Sequence, residues 1–158
     1  MKFYIISYGQ RWFVMIRERI TAETRPRCGE IWMCNLIAKD GSIQNGYRPV
    51  FILSNNKNNS YSTTLNIIPI TSKINKRKLP VHVELWSYQQ YGLRVPSTML
   101  IEQIMTINSE CLDRRIGCVS DYETLCSISM AMSVQFPVLV TAKNNMEKPW
   151  QILLNLLW

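Results

Sequence analysis

Hydrophobic and polar positions alternate in short runs through the middle of the chain, and each run is bounded by turn residues. Ile31-Trp32-Met33-Cys34-Asn35-Leu36 predicts a strand that starts after Gly29. The polar stretch Lys39 to Gly46 holds two glycines and an Asn-Gly, the composition of a loop. Pro49 to Leu53 predicts a second strand, and Asn55 to Ser60 a further polar loop. Leu65 to Ile70 is apolar enough for a buried strand, with Pro69 marking a strand end, a bulge or an edge. Val81-His82-Val83-Glu84-Leu85 alternates cleanly, which puts His82 and Glu84 on one face and the aliphatics on the other. Thr98 to Ile101 and Ile104 to Ile107 are two more extended candidates, parted by the polar pair Glu102-Gln103.

The period then changes. Asn108 to Arg115 predicts one helical turn. Ser120-Asp121-Tyr122-Glu123 has the form of a capping box, with Ser120 as the cap. Apolar residues come next at Tyr122, Leu125, Ile128, Met132 and Phe136, close to helical spacing, and Pro137 stops the helix. Five or six short strands and a terminal helix predict a small, mainly β, barrel-like domain over residues 25–137. Residues 1–24 and 138–158 are expected to be an N-terminal extension and a C-terminal apolar tail.

Composition narrows the picture. The chain has 158 residues, room for one ordinary domain, and is 47% hydrophobic, which excludes a disordered tail. The run Phe3 to Ile6 is too short for a signal-peptide core. The apolar end, Trp150 to Trp158, falls far below the roughly 20 residues of a spanning helix, so no membrane association is expected. The change of character over Arg17 to Arg27 makes Met15 an alternative start, which the intact mass of the native protein tests. The cysteines are Cys28, Cys34, Cys111, Cys118 and Cys126, odd in number and without a C-x-x-C, beside the single histidine His82. That set offers neither a structural zinc site nor an even disulfide framework, and predicts free thiols in a reducing cytoplasm. No metal or other cofactor is expected.

Charge adds a direction. Lys and Arg number 18 against 11 Asp and Glu, a net charge of +7, which favours an anionic partner. Between Lys39 and Arg94 there are 8 basic and 2 acidic residues, so +6 of that excess belongs to the β region. A phosphate-tracking groove suits this distribution better than an amphipathic membrane helix.

Three stretches within that region could do chemistry. In Gly41 to Pro49 a loop with amide side chains runs into Arg48, which Pro49 forces into an extended conformation. A guanidinium held so presents a planar donor fork to a phosphate; the plainer alternative is an arginine that ends a strand and pairs with a carboxylate. Thr71 and Ser72 supply hydroxyls at the exit of an apolar strand, just before the basic run Lys73 to Lys78. His82 is the one near-neutral group available as a general base, or it simply sits on a half-exposed strand face.

These stretches, in this order, resemble the MazF/PemK family of toxins from bacterial toxin–antitoxin pairs. The resemblance rests on Gly29-Glu30-Ile31-Trp32, on Gly41-Ser42 with Gln44 to Val50, and on Ile70 to Ile74. Lys78 to Glu84, Leu100 to Ile104 and the helix after Asp121 extend it, and together it covers about Cys28 to Phe136. It implies an SH3-like β-barrel with a C-terminal helix, working as a homodimer. It also implies sequence-selective, metal-independent cleavage of single-stranded RNA, and an antitoxin partner whose acidic, otherwise disordered tail blocks the RNA groove. By the same resemblance Arg48 and Thr71 are the catalytic pair, while Ser42, Gln44, Asn45, Lys73, His82, Glu102 and Gln103 lie around the RNA path. Ile43, Cys28 and Met105 depart from the family pattern, the first replacing a Glu and the other two arginines. The competing expectation is the related CcdB-like branch, which poisons a protein target such as DNA gyrase and needs no Arg/Thr pair.

Overall fold

Val50-Phe51-Ile52 and Ile67-Ile68-Pro69-Ile70 are apolar at consecutive positions, so strands formed from them need cover on both faces. A computed structural model shows how that cover is supplied; it describes residues 2–8, 11–17, 25–37, 41–73 and 78–137. The strands are β1 (Lys2–Tyr8), β2 (Arg11–Arg17), β3 (Glu30–Leu36), β4 (Gly46–Ile52), β5 (Thr64–Thr71), β6 (His82–Leu85), β7 (Ser97–Leu100), β8 (Met105–Asn108) and β9 (Leu112–Cys118). The helices are α1 (Asn56–Tyr61) and α2 (Tyr122–Gln135), with 3-10 turns at Tyr88–Tyr91, Ile101–Gln103 and Ser109–Cys111.

β1 and β2 pair antiparallel as a separate ribbon, from Lys2↔Arg17 to Tyr8↔Arg11. The larger sheet runs β6-β7-β5-β4-β3-β9, with β8 also paired to β5. It is mainly β with a C-terminal helix, as expected, and the sheet is not closed, an arrangement compatible with a barrel-like fold.

Two cores form, one on each face of β3, β4 and β5. Phe51, Ile68 and Ile70 pack with Val83, Met99 and Ile101 and with Ile128 and Ala131 of α2. Val50, Ile52, Leu65 and Ile67 pack with Trp32, Cys34, Leu36 and Leu112 on the other side. The period-two alternation sends neighbouring residues of one strand into different cores, which is why the sequence reads as continuous apolar runs.

Pro69 sits where β5 changes partners. Thr64 to Ile67 pair with β8, whereas Ile70 and Thr71 pair with β7. A residue without an N–H is tolerated at this break in the ladder. On the opposite edge, the β4–β5 ladder runs from Ile52↔Ile67 to Val50↔Pro69.

Several expectations need correction. The polar run Asn55 to Ser60 is not a loop: Asn55 caps α1 by accepting from the Asn58 N–H at 2.8 Å. Asn59 is buried in that helix because its amide satisfies itself on Ser54, accepting from Oγ at 2.6 Å and donating to the carbonyl at 2.9 Å. The turn expected within Asn108 to Arg115 is confined to Ser109–Cys111, and the chain then enters β9. Register shifts against β3 break the alternation that would have marked that strand.

The cap of α2 is Asp121, not Ser120: its carboxylate accepts from the Thr124 N–H at 2.8 Å and from the Tyr91 hydroxyl at 2.9 Å. The buried face is accordingly centred on Ile128 and Ala131, while Tyr122 is 83% exposed. The predicted apolar face therefore overlaps the observed one at Ile128 and Met132 but not at Tyr122 or Leu125. Residues 38–40, 74–77 and 138–158, which include Lys39, Lys76, Arg77 and the apolar tail, lie outside the described residues.

Candidate active site

Val50↔Pro69 is the final pair of the β4–β5 ladder toward the start of β4. Two positions before Val50 is Arg48, and two positions after Pro69 is Thr71. The register therefore leaves both residues at the point where the two strands part. Arg48 is still held to β3, opposite Cys34, and Thr71 is held to β7, opposite Thr98. A cavity of about 860 Å³ opens between the separated strand ends, and both Arg48 and Thr71 line it.

The guanidinium of Arg48 is oriented by its own loop. Its Nε donates to the Asn45 carbonyl at 2.7 Å, and Nη1 donates to Gln44 Oε1. Partial burial lowers the Arg48 pKa from its ordinary value by stripping water from the charge. An arginine still carries its proton at neutral pH. Among the described residues it pairs with no carboxylate, so the plainer alternative raised by the sequence does not apply.

The loop is held from the other side by Gln103. Gln44 N–H donates to Gln103 Oε1 at 2.8 Å, and Gln103 Nε2 donates to the Ser42 carbonyl at 3.2 Å. Thr71 Oγ1 accepts from the Lys73 N–H at 3.2 Å, which leaves the hydroxyl proton for another acceptor. Lys73 itself is exposed on the cavity rim.

The structure adds residues that the sequence does not single out. Tyr47, Arg114 and Arg115 line the same cavity with Arg94. The Tyr47 hydroxyl donates to Asp113, and burial together with that carboxylate pushes the phenol pKa up. Arg115 is joined to Glu30 at 2.9 Å. The adjacent arginines of β9 were the available signal, but they carry one only once Leu112–Cys118 is recognised as a strand.

A backbone contact places that strand. A Cβ on Gly117 would meet the Tyr91 carbonyl oxygen at 2.0 Å, and one on Gly92 would meet the Ile116 carbonyl oxygen at 1.8 Å. Gly92 also has a φ of 73°, in the left-handed region that favours glycine. The two glycines let β9 lie directly on the Tyr88–Tyr91 turn and bring Arg94 and Arg114 to one cavity.

His82 and Glu102 stand elsewhere. His82 Nε2 lies 3.1 Å from Glu102 Oε1, and the imidazole is 6% exposed. His82 lines a separate cavity of about 420 Å³ between β6 and α2. Of the expected site residues, Arg48, Thr71, Gln44 and Lys73 line the larger cavity. Ser42, Asn45 and Gln103 support it through hydrogen bonds.

A small β-sheet with a terminal helix and an arginine-rich cavity where two strands part defines the class: a barrel-like β-protein with a cleft lined by arginines. Comparison with known proteins narrows this. Residues 27–133 match the family described as PemK-like, MazF-like toxin of type II toxin-antitoxin system. The chain belongs to that family. It is 39% identical over 95 residues to the Endoribonuclease MazF of Staphylococcus saprophyticus, covering 60% of this chain and 78% of that protein. Its fold is similar to that of the Mycobacterium tuberculosis toxin MazF-mt6, with a TM-score of 0.57, 24% identity, and coverage of 68% of this chain and 96% of the other. It is also similar to a mycobacterial endoribonuclease solved in complex with its cognate antitoxin, with a TM-score of 0.54, 22% identity, and coverage of 71% and 95%.

Proposed function

We propose that this chain is the toxin of a toxin–antitoxin pair and an endoribonuclease that cleaves single-stranded RNA at selected sequences without a metal ion. What carries the reading is that the β4–β5 ladder ends at Val50↔Pro69 and that Arg48 and Thr71, just beyond it, both line one basic cavity. Membership of the toxin family and the name of the staphylococcal relative support it.

RNA brings its own nucleophile. The 2′-oxygen attacks the adjacent phosphorus in line, the P–O5′ bond breaks, and the products are a 2′,3′-cyclic phosphate and a 5′-hydroxyl. The protein has to align the nucleotides, neutralise charge on the phosphoryl oxygens and handle two protons. Arg48 neutralises the phosphoryl charge. Two of its five N–H donors are used within the protein, which leaves others for phosphoryl oxygens. Thr71 donates its hydroxyl as charge builds. The proton on the 2′-oxygen needs a base; the chain's single imidazole, His82, lies at the other cavity against Glu102 and is not given that role. A His82→Ala variant is expected to keep its pH profile, and a changed profile would bring the imidazole back as the base.

The RNA path runs along Lys73 and Arg94, the protein acts as a homodimer, and an antitoxin with an acidic, disordered tail neutralises it by occupying the same cleft. The test is incubation of the purified protein with long RNA in excess chelator, and then mapping of the ends. Cyclic phosphate and 5′-hydroxyl termini at recurring sequences are expected. Intact RNA overturns the proposal and favours a toxin that binds a protein target.

A further inference from the structure

We propose that Gln103 is a positioning residue for Arg48, acting through the loop that precedes the arginine; the inference rests on the endoribonuclease reading only where activity is its readout.

The Gly41–Asn45 stretch has no regular structure, and Ser42, Ile43 and Asn45 are exposed. Such a segment would not hold a guanidinium by itself, because nothing in it restricts its own backbone. Yet Arg48 takes its orientation from this loop, through the Asn45 carbonyl and the Gln44 side chain. The restraint comes from the far side. Gln103 spends both ends of its amide on the loop backbone, accepting from the Gln44 N–H at 2.8 Å and donating to the Ser42 carbonyl at 3.2 Å. It thereby imitates a strand partner for the loop.

Gln103 has a rigid footing of its own. It ends the Ile101–Gln103 turn, in which Ile101 is fully buried and its N–H donates to the Val81 carbonyl at 3.1 Å. Its neighbour Glu102 is tied to His82, 3.1 Å away on β6. A continuous set of contacts therefore leads from β6 through Gln103 and Gln44 to Arg48. The loop-facing donors of the guanidinium are fixed before substrate arrives, which leaves the remaining donors pre-aimed at the cleft.

The test uses the full chain with single-stranded RNA. Gln103→Ala is expected to lower kcat at least tenfold, with KM changed less than about threefold and the melting temperature close to wild type. Gln44→Ala should lower kcat similarly, and the double variant should be no slower than the slower single one. Gln103→Glu keeps an acceptor for Gln44 but sets a carboxylate against the Ser42 carbonyl, so it should fall between Ala and wild type. A Gln103→Ala effect confined to KM, a rise in kcat, or simple multiplication of the two single effects would overturn the assignment.

A readout without RNA separates this inference from the functional reading. NMR exchange of the Arg48 Nε–H with water should be slow in the wild type and several-fold faster in Gln103→Ala. Faster exchange in a protein that cleaves no RNA supports the positioning role and defeats the endoribonuclease proposal. Unchanged exchange in an active enzyme defeats the positioning role and leaves the endoribonuclease proposal standing.

Discussion

Among the described residues, the cations that line the cavity of Arg48 and Thr71 meet no carboxylate, Arg115 excepted, whereas at the cavity beside His82 the lysine and the imidazole each face one. In the first, Arg48, Lys73 and Arg94 line open space with no ion pair among the described residues. In the second, Lys78 meets Glu84 at 3.2 Å and His82 meets Glu102 at 3.1 Å. Unpaired cations around a concave surface raise its potential and draw an anion in, while paired ones cancel at short range. The same β-sheet thus carries one cavity of unpaired positive charge and one whose side chains are tied to each other. What separates them is where strands part: β4 and β5 diverge beyond Pro69, while β6 stays paired with β7 from His82↔Leu100 to Leu85↔Ser97.

The sharpest way to break this contrast is Arg48→Ala, which should cut RNA cleavage about 100- to 1,000-fold, the usual cost of losing a donor to a developing oxyanion, with the fold intact by circular dichroism. Next in size is Gly117→Ala. A methyl there meets the Tyr91 carbonyl oxygen at 2.0 Å, so β9 has to move, and chemical denaturation should show a loss of about 1–3 kcal/mol. Activity should fall with it, since Arg94 and Arg114 stand on either side of that contact. Thr71→Val preserves shape and removes the hydroxyl; we expect about a tenfold slower single-turnover rate with RNA affinity little changed.

Asp121→Ala tests the structural side and should cost about 1 kcal/mol as a lost helix cap. The Asp121 carboxyl is raised by burial but lowered further by hydrogen bonds from Thr124 and Tyr91, so its folded pKa lies below the ordinary value. Its contribution is therefore complete above the unfolded pKa of about 3.9 and is lost as pH falls through the lower folded value. Asp121→Asn should keep most of the cap at pH 7 and flatten that part of the acid limb in urea titrations. The smallest effect belongs to Arg94→Ala: affinity for RNA should weaken modestly, and the slope of log K against log salt should shrink by a little under one.

Much of this arrangement is legible in the residues themselves. The runs at Ile31 to Leu36, Pro49 to Leu53, Leu65 to Ile70, Val81 to Leu85 and Thr98 to Ile101 each contain or overlap an observed strand. Their residues alternate or are uniformly apolar, and turn chemistry marks their ends. Less visible are β9, whose bulges spoil the alternation, and α1, whose five polar residues and one tyrosine are helical because Asn55 caps them and Asn59 is satisfied by Ser54. The cap of α2 shifts by one position because the Tyr91 hydroxyl selects Asp121 over Ser120. That choice is made by a residue thirty positions away.

Alone, the sequence determined the class of the fold, the excess of positive charge and the residue types capable of acting on a phosphodiester. Local patterning is enough for these because periodicity, proline and charge act over a few residues. Only the tertiary structure decided that Arg48 and Thr71 line one cavity, that Gln103 reaches back to the Ser42–Gln44 backbone, and that His82 belongs with Glu102 at a different cavity. Those pairings depend on strand register and on contacts between residues far apart in the chain, and no local pattern encodes a register.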